Sequence, residues 1–173
     1  EELKQFTIFA TCGTPRIFEE APREYVFRTM AHATADNTAA AMYVKEQFPN
    51  LKGYTGIQQN YAWGQDSWRD FDLTLKQILP GARASDNVQF PKIFAGQYGS
   101  EISAMSLDPA ELVHTSFWGG DLEAFIFQGA ARGLFKEKTG VLTVGGTAAY
   151  RLGKKLPDGL VLGARGPYGI LVK

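Results

Sequence analysis

A single cysteine, Cys12, and two histidines, His32 and His114, are all this 173-residue chain offers as soft metal ligands or imidazole bases. One cysteine excludes an internal disulfide framework and a multi-cysteine metal site, and leaves the compartment open. Neither histidine lies near a second soft ligand at metal-binding spacing, so no metal and no metal cofactor is expected. An excess of charge is also missing: 18 Lys and Arg balance 18 Asp and Glu, and no run of like charge occurs. Without a basic patch, nucleic acid and anionic membrane surfaces are not expected partners, and a neutral or small ligand is. No apolar run approaches the roughly 18 residues that span a bilayer, and the first residues lack the charged-then-apolar pattern of a signal peptide.

What is present is an ordinary globular composition, 45% hydrophobic and 21% charged, enough for one domain or parts of two. Asp36 reads as an N-cap, with Ala40, Tyr43, Val44 and Phe48 at helical spacing until Pro49-Asn50, which predicts a helix over 36–48. Lys52 to Gln59 carries β-favouring Tyr54, Thr55 and Ile57, and Trp68, Phe71, Leu75 and Ile78 then form a second helical stripe ended by Pro80-Gly81. Ala82 to Gln89 reads as a weaker strand, and Ser100 precedes a short helix with Ile102 and Met105 inward. Glu111 to Phe117 reads as a buried strand and Asp121 as the cap of a helix burying Leu122, Phe125, Ile126 and Ala130, closed by Gly133. Gly140 to Val144 is a further strand, Gly145-Gly146 a turn, Thr147 a cap, and Leu160 to Ala164 the last strand. Strand and helix alternate in the βαβ rhythm of a parallel sheet.

Residues 1–29 do not share that rhythm. They hold strand-like Phe6 to Ala10, a turn at Thr11 to Pro15, a charged loop containing Pro22, and strand-like Tyr25 to Thr29. This segment is expected to be the edge of a second lobe, with a crossing near Arg28 to Ala31. A strand opening the chain at Leu3 to Thr11, and Ile170-Leu171-Val172-Lys173 without a stop signal, are expected of a piece of a longer protein.

The most informative stretch is Asn60-Tyr61-Ala62-Trp63-Gly64-Gln65, two aromatics and a glycine where a strand hands over to a helix. In open α/β sheets such exit loops form the ligand crevice, and the other reading is aromatics that cap the next helix by packing. Val144-Gly145-Gly146-Thr147 also joins a strand to a helix, but it contains neither G-x-x-x-x-G-K-[ST] nor G-x-G-x-x-G, so a tight turn is expected and no nucleotide cofactor. His114 alternates with apolar neighbours and reads as a satisfied sheet histidine. Cys12 would need an imidazole nearby to act as a nucleophile. Asp66 and Asp70 share a helix face, and Glu19-Glu20 sit in a loop; both pairs are expected to be solvated, with Asp66 favourably placed at the helix dipole. No catalytic set emerges, and an enzyme is not expected.

The ordered series of these segments resembles the type I periplasmic substrate-binding proteins of ABC transporters, in particular the branched-chain amino-acid-binding (Leu/Ile/Val-binding) family. The resemblance is carried by Phe9-Ala10-Thr11-Cys12-Gly13-Thr14-Pro15, Tyr25-Val26-Phe27-Arg28-Thr29, Asn37 to Val44, Tyr61-Ala62-Trp63-Gly64-Gln65 through Phe71, Pro80-Gly81-Ala82, Phe117 to Leu134, and Leu156 to Ala164. It implies an α/β fold, a Rossmann-like periplasmic-binding-protein lobe whose parallel sheet is flanked by helices, plus an edge piece of a second lobe. Residues 1–29 would be the C-terminal portion of lobe one with the hinge crossing, and residues 30–173 most of lobe two. Members are about twice as long, so the chain looks like a middle section and is expected to bind ligand weakly or not at all by itself.

The resemblance further implies that Thr11, Cys12, Gly13 and Thr14 receive a ligand carboxylate, and that Tyr61, Trp63, Trp118 and Gly145 line the opposite wall. Members that bind α-amino acids place an acid after the strand matching Gly140 to Val144, to pair the ligand ammonium. Here that loop is Val144-Gly145-Gly146-Thr147, without an acid. A buried unpaired ammonium costs several kcal/mol, so a small organic carboxylate lacking an amine, such as an aromatic acid, is expected ahead of the amino-acid-like ligand that the family resemblance also implies. The implied function is a non-enzymatic solute receptor, periplasmic or extracellular or else lipid-anchored outside the cytoplasmic membrane, that closes on its ligand. It would be monomeric at full length and deliver the ligand to ABC permease subunits in the membrane. The rival is a ligand-sensing receptor or regulatory domain of the same fold, which fold alone does not separate from it.

Overall fold

The computed structural model of the chain describes residues 2–165. Ile170 to Lys173 lie outside the described residues. Fifteen elements follow one another among the described residues. A first unit comprises β1 (Thr7–Phe9), the short helix α1 (Arg16–Glu19) and β2 (Val26–Arg28). Then come α2 (Ala33–Gln47), β3 (Gly53–Gly56), α3 (Ala62–Ile78), β4 (Arg83–Ala84), α4 (Gly99–Leu107), β5 (Leu112–Thr115) and α5 (Gly119–Ala131). The last are α6 (Leu134–Glu137), β6 (Thr139–Leu142), α7 (Gly146–Leu152), a 3-10 turn (Gly153–Lys155) and β7 (Val161–Leu162).

Two parallel sheets result: β1 pairs with β2, and five strands run in the order β4-β3-β5-β6-β7. The chain steps outward from β3 to β4 and then back across to β5, so the strand order reverses between β3 and β5. In open α/β sheets the crevice at the carboxyl ends of two such strands is the usual ligand site.

Alternation along the central strands sends neighbours to opposite faces. Leu112 and Val141 join Ala41, Val44, Tyr54, Phe71 and Leu75 under α2 and α3. Val113 and Leu142 join Ile102, Met105, Phe117, Leu122, Phe125 and Ile126 under α4 and α5. Full burial of side chains such as Phe71 and Phe125 stabilises the fold by roughly 1.5–3 kcal/mol each.

His114, on β5, is fully buried and satisfied. Its Nδ1 lies 2.9 Å from Gln58 Nε2, and its Nε2 lies 2.8 Å from Asn37 Oδ1 and 2.9 Å from Thr143 Oγ1. The Gln58 amide nitrogen can only donate and the Asn37 oxygen only accept, so the ring is neutral with its proton on Nε2. Phe71 stacks on it at 4.0 Å, and burial lowers its pKa to about 3. The sheet-histidine reading holds.

Several local expectations are corrected. Helix α2 starts three residues before Asp36, with His32 at its N-cap, and its buried positions are Ala33, Asn37, Ala41 and Val44. Asn37 is drawn inward by His114, and this rotates Tyr43 out to 45% exposure. Residues read as a charged loop form α1. Helix α5 is capped at Trp118, which places Asp121 inside the first turn, and α7 is capped at Gly145 instead of Thr147. In the weak strand after Pro80, only Arg83 and Ala84 join the ladder, with one further bridge from Gln89 to Ile57.

Candidate functional site: a cleft at the carboxyl ends of both sheets

A cleft of about 860 Å³ opens where the carboxyl ends of the two sheets meet. On one side lies the turn after β1, Ala10 to Thr14; on the other are the loops after β3, β5, β6 and β7. Seven of the eight residues expected from the sequence line it: Thr11, Cys12, Gly13, Thr14, Tyr61, Trp63 and Trp118. Gly145 does not. It is buried at the start of α7, where an added Cβ would meet Leu162 Cδ2 at 2.8 Å, and its neighbours Val144 and Thr147 form the wall instead.

The turn is held from three directions. Arg28 Nη1 donates to the Thr14 carbonyl at 2.7 Å, Ala33 N to the Gly13 carbonyl at 2.8 Å, and the Thr14 hydroxyl to Asp66 Oδ2 at 2.9 Å. The Thr14 proton is therefore spent on Asp66 and is not offered to the cleft. Asp66 is fully buried and also receives Arg16 through Nε at 2.9 Å and Nη2 at 2.8 Å. Asp70, 7% exposed, accepts from the Thr34 hydroxyl at 2.7 Å and from Arg69. The expectation that Asp66 and Asp70 are solvated is thus overturned: their partners Thr14, Arg16 and Thr34 come from distant segments that fold over α3.

Tyr61 caps α3 with an extended backbone, and Trp63 falls in its first turn. Gly64 follows because a Cβ there would lie 2.0 Å from the Gln59 carbonyl. Trp63 is only 8% exposed. Its Nε1 donates to the Ser116 carbonyl at 2.9 Å, tying the loop after β3 to the one after β5. Gly13 lies against the same ring, where a Cβ would meet Cζ3 at 2.2 Å. Trp118 is 38% exposed; its Nε1 donates to the Tyr61 hydroxyl at 2.8 Å, and Phe94 meets its ring edge-on at 5.8 Å. Burial raises the Tyr61 phenol pKa, so the neutral hydroxyl keeps a proton to donate. The Phe94 loop is fastened by Asp121, which accepts from Phe94 N at 2.8 Å and from Gln59 Nε2 at 2.6 Å.

Sequence reasoning did not find Met30 or Arg165 on the cleft wall. Arg165 is engaged by Asp36, and its guanidinium lies 5.3 Å from the centre of the Trp63 ring. No local signal marks it, because its carboxylate partner is 129 residues away in the chain. Among the described residues no cluster suited to a metal ion occurs, and no helix is long and apolar enough to cross a membrane.

No protein-family model and no curated protein sequence matches the chain. Solved structures do. A substrate-binding protein of an amino-acid ABC transporter from Pseudomonas fluorescens Pf-5 superposes with a TM-score of 0.80 at 12% identity, over 95% of this chain and 43% of that one. A solute-binding protein of an ABC transporter from Rhodopseudomonas palustris BisB5, in complex with 3,4-dihydroxybenzoic acid, gives 0.76 at 18% identity, over 91% and 42%. A leucine-binding protein from Thermotoga maritima gives 0.71 at 12% identity, over 89% and 43%. The chain spans less than half the length of each of these proteins. The likeness extends over most of the described residues, and this chain has the α/β fold, a parallel sheet flanked by helices, of a periplasmic binding protein lobe.

Proposed function

We propose that the chain is the ligand-closing part of an extracytoplasmic solute-binding protein that captures a small organic carboxylate without an amine, an aromatic acid in particular, for an ABC permease. The observation that carries this reading is the composition of the cleft wall. Two tryptophans and a tyrosine face a turn of small residues, and no carboxylate lines the cleft among the described residues. An ammonium entering it would find no counter-charge, at a cost of several kcal/mol. A flat acid finds aromatic walls, the Tyr61 hydroxyl and, on Thr11 to Thr14, backbone N–H groups suited to a carboxylate. The complex of the Rhodopseudomonas protein with 3,4-dihydroxybenzoic acid fits the same chemistry.

In this proposal the boundary at residue 29 divides two lobes, and residues Arg28 to Ala31 absorb the closing rotation. Ligand bridging the lobes favours the closed state by its differential contacts. Binding, with no chemical step, is the function, and the site of action is the periplasm or the outer face of the membrane.

A thermal-shift screen of the full-length protein tests the reading. Ligand at 100 times its Kd adds about 2.7 kcal/mol of stability. Stabilisation by benzoate and 3,4-dihydroxybenzoate, and none by leucine or polar α-amino acids, is expected. Stabilisation by the amino acids alone would overturn it.

A further inference from the structure

Among the described residues that line the cleft, Arg165 has the only ionised side chain. Asp36 engages one edge of its guanidinium, accepting from Nε at 2.9 and 3.1 Å and from Nη2. The other edge, formed by Nη1 and the second Nη2 hydrogen, has no oxygen acceptor among the described residues. Nη1 reaches only the Met30 sulfur, at 3.6 Å, and a thioether is a weak acceptor. Arg165 is 19% exposed and Asp36 8%. The free edge of a guanidinium has the fork geometry that fits a carboxylate with two parallel hydrogen bonds.

The turn opposite supplies no charge of its own. The Thr14 hydroxyl proton is donated to Asp66, and Arg16, the nearest cation in sequence, is bound to the same carboxylate. Arg165 and Gly13 both rest against the Trp63 indole, so the turn and the guanidinium approach a ligand across a single ring. An acid leaving water for this apolar cleft needs a positive partner there, and Arg165 is placed to be one.

We propose that Arg165 determines the cleft's preference for acids: its Nη1–Nη2 edge takes the ligand carboxylate jointly with the backbone of the turn, while Asp36 holds the Nε edge and keeps the guanidinium over the Trp63 ring. This rests on the carboxylate-binding reading above and names the residue that reads the charge.

The test compares an acid with its uncharged isostere in the full-length protein. Dissociation constants of 3,4-dihydroxybenzoate and 3,4-dihydroxybenzamide are measured by calorimetry for wild type, Arg165→Gln, Arg165→Lys and the double variant Asp36→Asn/Arg165→Gln. The double variant removes the carboxylate that the single change leaves buried and unpaired. Loss of a charge-assisted pair weakens acid binding about 10- to 100-fold. The amide changes less than about threefold, and Arg165→Lys recovers part of the acid preference because charge returns without the fork. An equal loss for acid and amide in both glutamine variants makes Arg165 a structural residue and overturns the inference, as does a wild-type protein that binds the two alike. A wild-type protein that binds leucine and neither aromatic compound overturns the carboxylate reading itself, and the inference with it.

Discussion

Trp63 and Trp118 leave neighbouring strands of the same sheet, each at the start of a helix, yet they occupy opposite situations. Trp63 is covered by Gly13 from the turn after β1 and by Arg165 from the far end of the described residues, and its indole N–H is bound to the Ser116 carbonyl. Trp118 keeps 38% of its surface exposed at the cleft rim and hydrogen-bonds another aromatic, Tyr61. One tryptophan is a pillar that joins the segments forming the cleft. The other is a surface the cleft presents. An aromatic at a strand exit therefore does not by itself signal a ligand contact; what later folds over the ring decides that.

The sharpest way to break this comparison is to truncate both rings. Trp63→Ala is expected to cost about 3–5 kcal/mol of stability in urea unfolding, as for other buried aromatics, and a loss no larger than that of Trp118→Ala would erase the distinction. Gly13→Ala probes the same pillar from its other side. The new Cβ would overlap the Trp63 ring, and overpacking of this kind costs about 1–3 kcal/mol.

A pH series tests the layer beneath α3. The pKa of His114 is lowered in the folded state from 6.5 to about 3, so below pH 6.5 the unfolded chain binds the proton that the folded chain refuses. Stability is then complete above pH 6.5 and is lost as pH falls toward 3. The loss between pH 7 and pH 5 is about 2 kcal/mol. Unfolding curves of wild type and His114→Gln at the two pH values should differ by that slope, and identical slopes would mean that His114 titrates normally. The smallest effect is expected at the rim. Trp118→Phe keeps an aromatic wall but removes the bond to Tyr61, for about 1 kcal/mol of stability, and a change as large as that of Trp63→Ala would place Trp118 among the pillars.

Much of the fold was legible because its signals are local. The stripe Trp68, Phe71, Leu75 and Ile78, the stop at Pro80-Gly81 and the αL residue Gly133 after α5 all specify backbone states from near neighbours. Strand-exit loops bearing Thr11 to Thr14, Tyr61, Trp63 and Trp118 were legible for the same reason, and the two sheets bring them to one cleft. What escaped were residues whose partners are remote. Asp36 read as a cap because an acid near a helix start usually is one, but its carboxylate is turned to Arg165. Asp66 and Asp70 read as solvated because Thr14, Arg16 and Thr34 are invisible to helical periodicity.

The sequence by itself determined the alternation of strands and helices, the parallel α/β architecture and the absence of an acid in the loop after β6, since each depends on residues within a few positions of one another. Only the tertiary structure decided which carboxylates are buried, which of the two cleft tryptophans is covered and which stays open at the rim, and that Arg165 lines the cleft. Those outcomes depend on side chains as many as 129 residues apart, whose pairing energy is realised only once the sheet has brought them together and excluded water from between them.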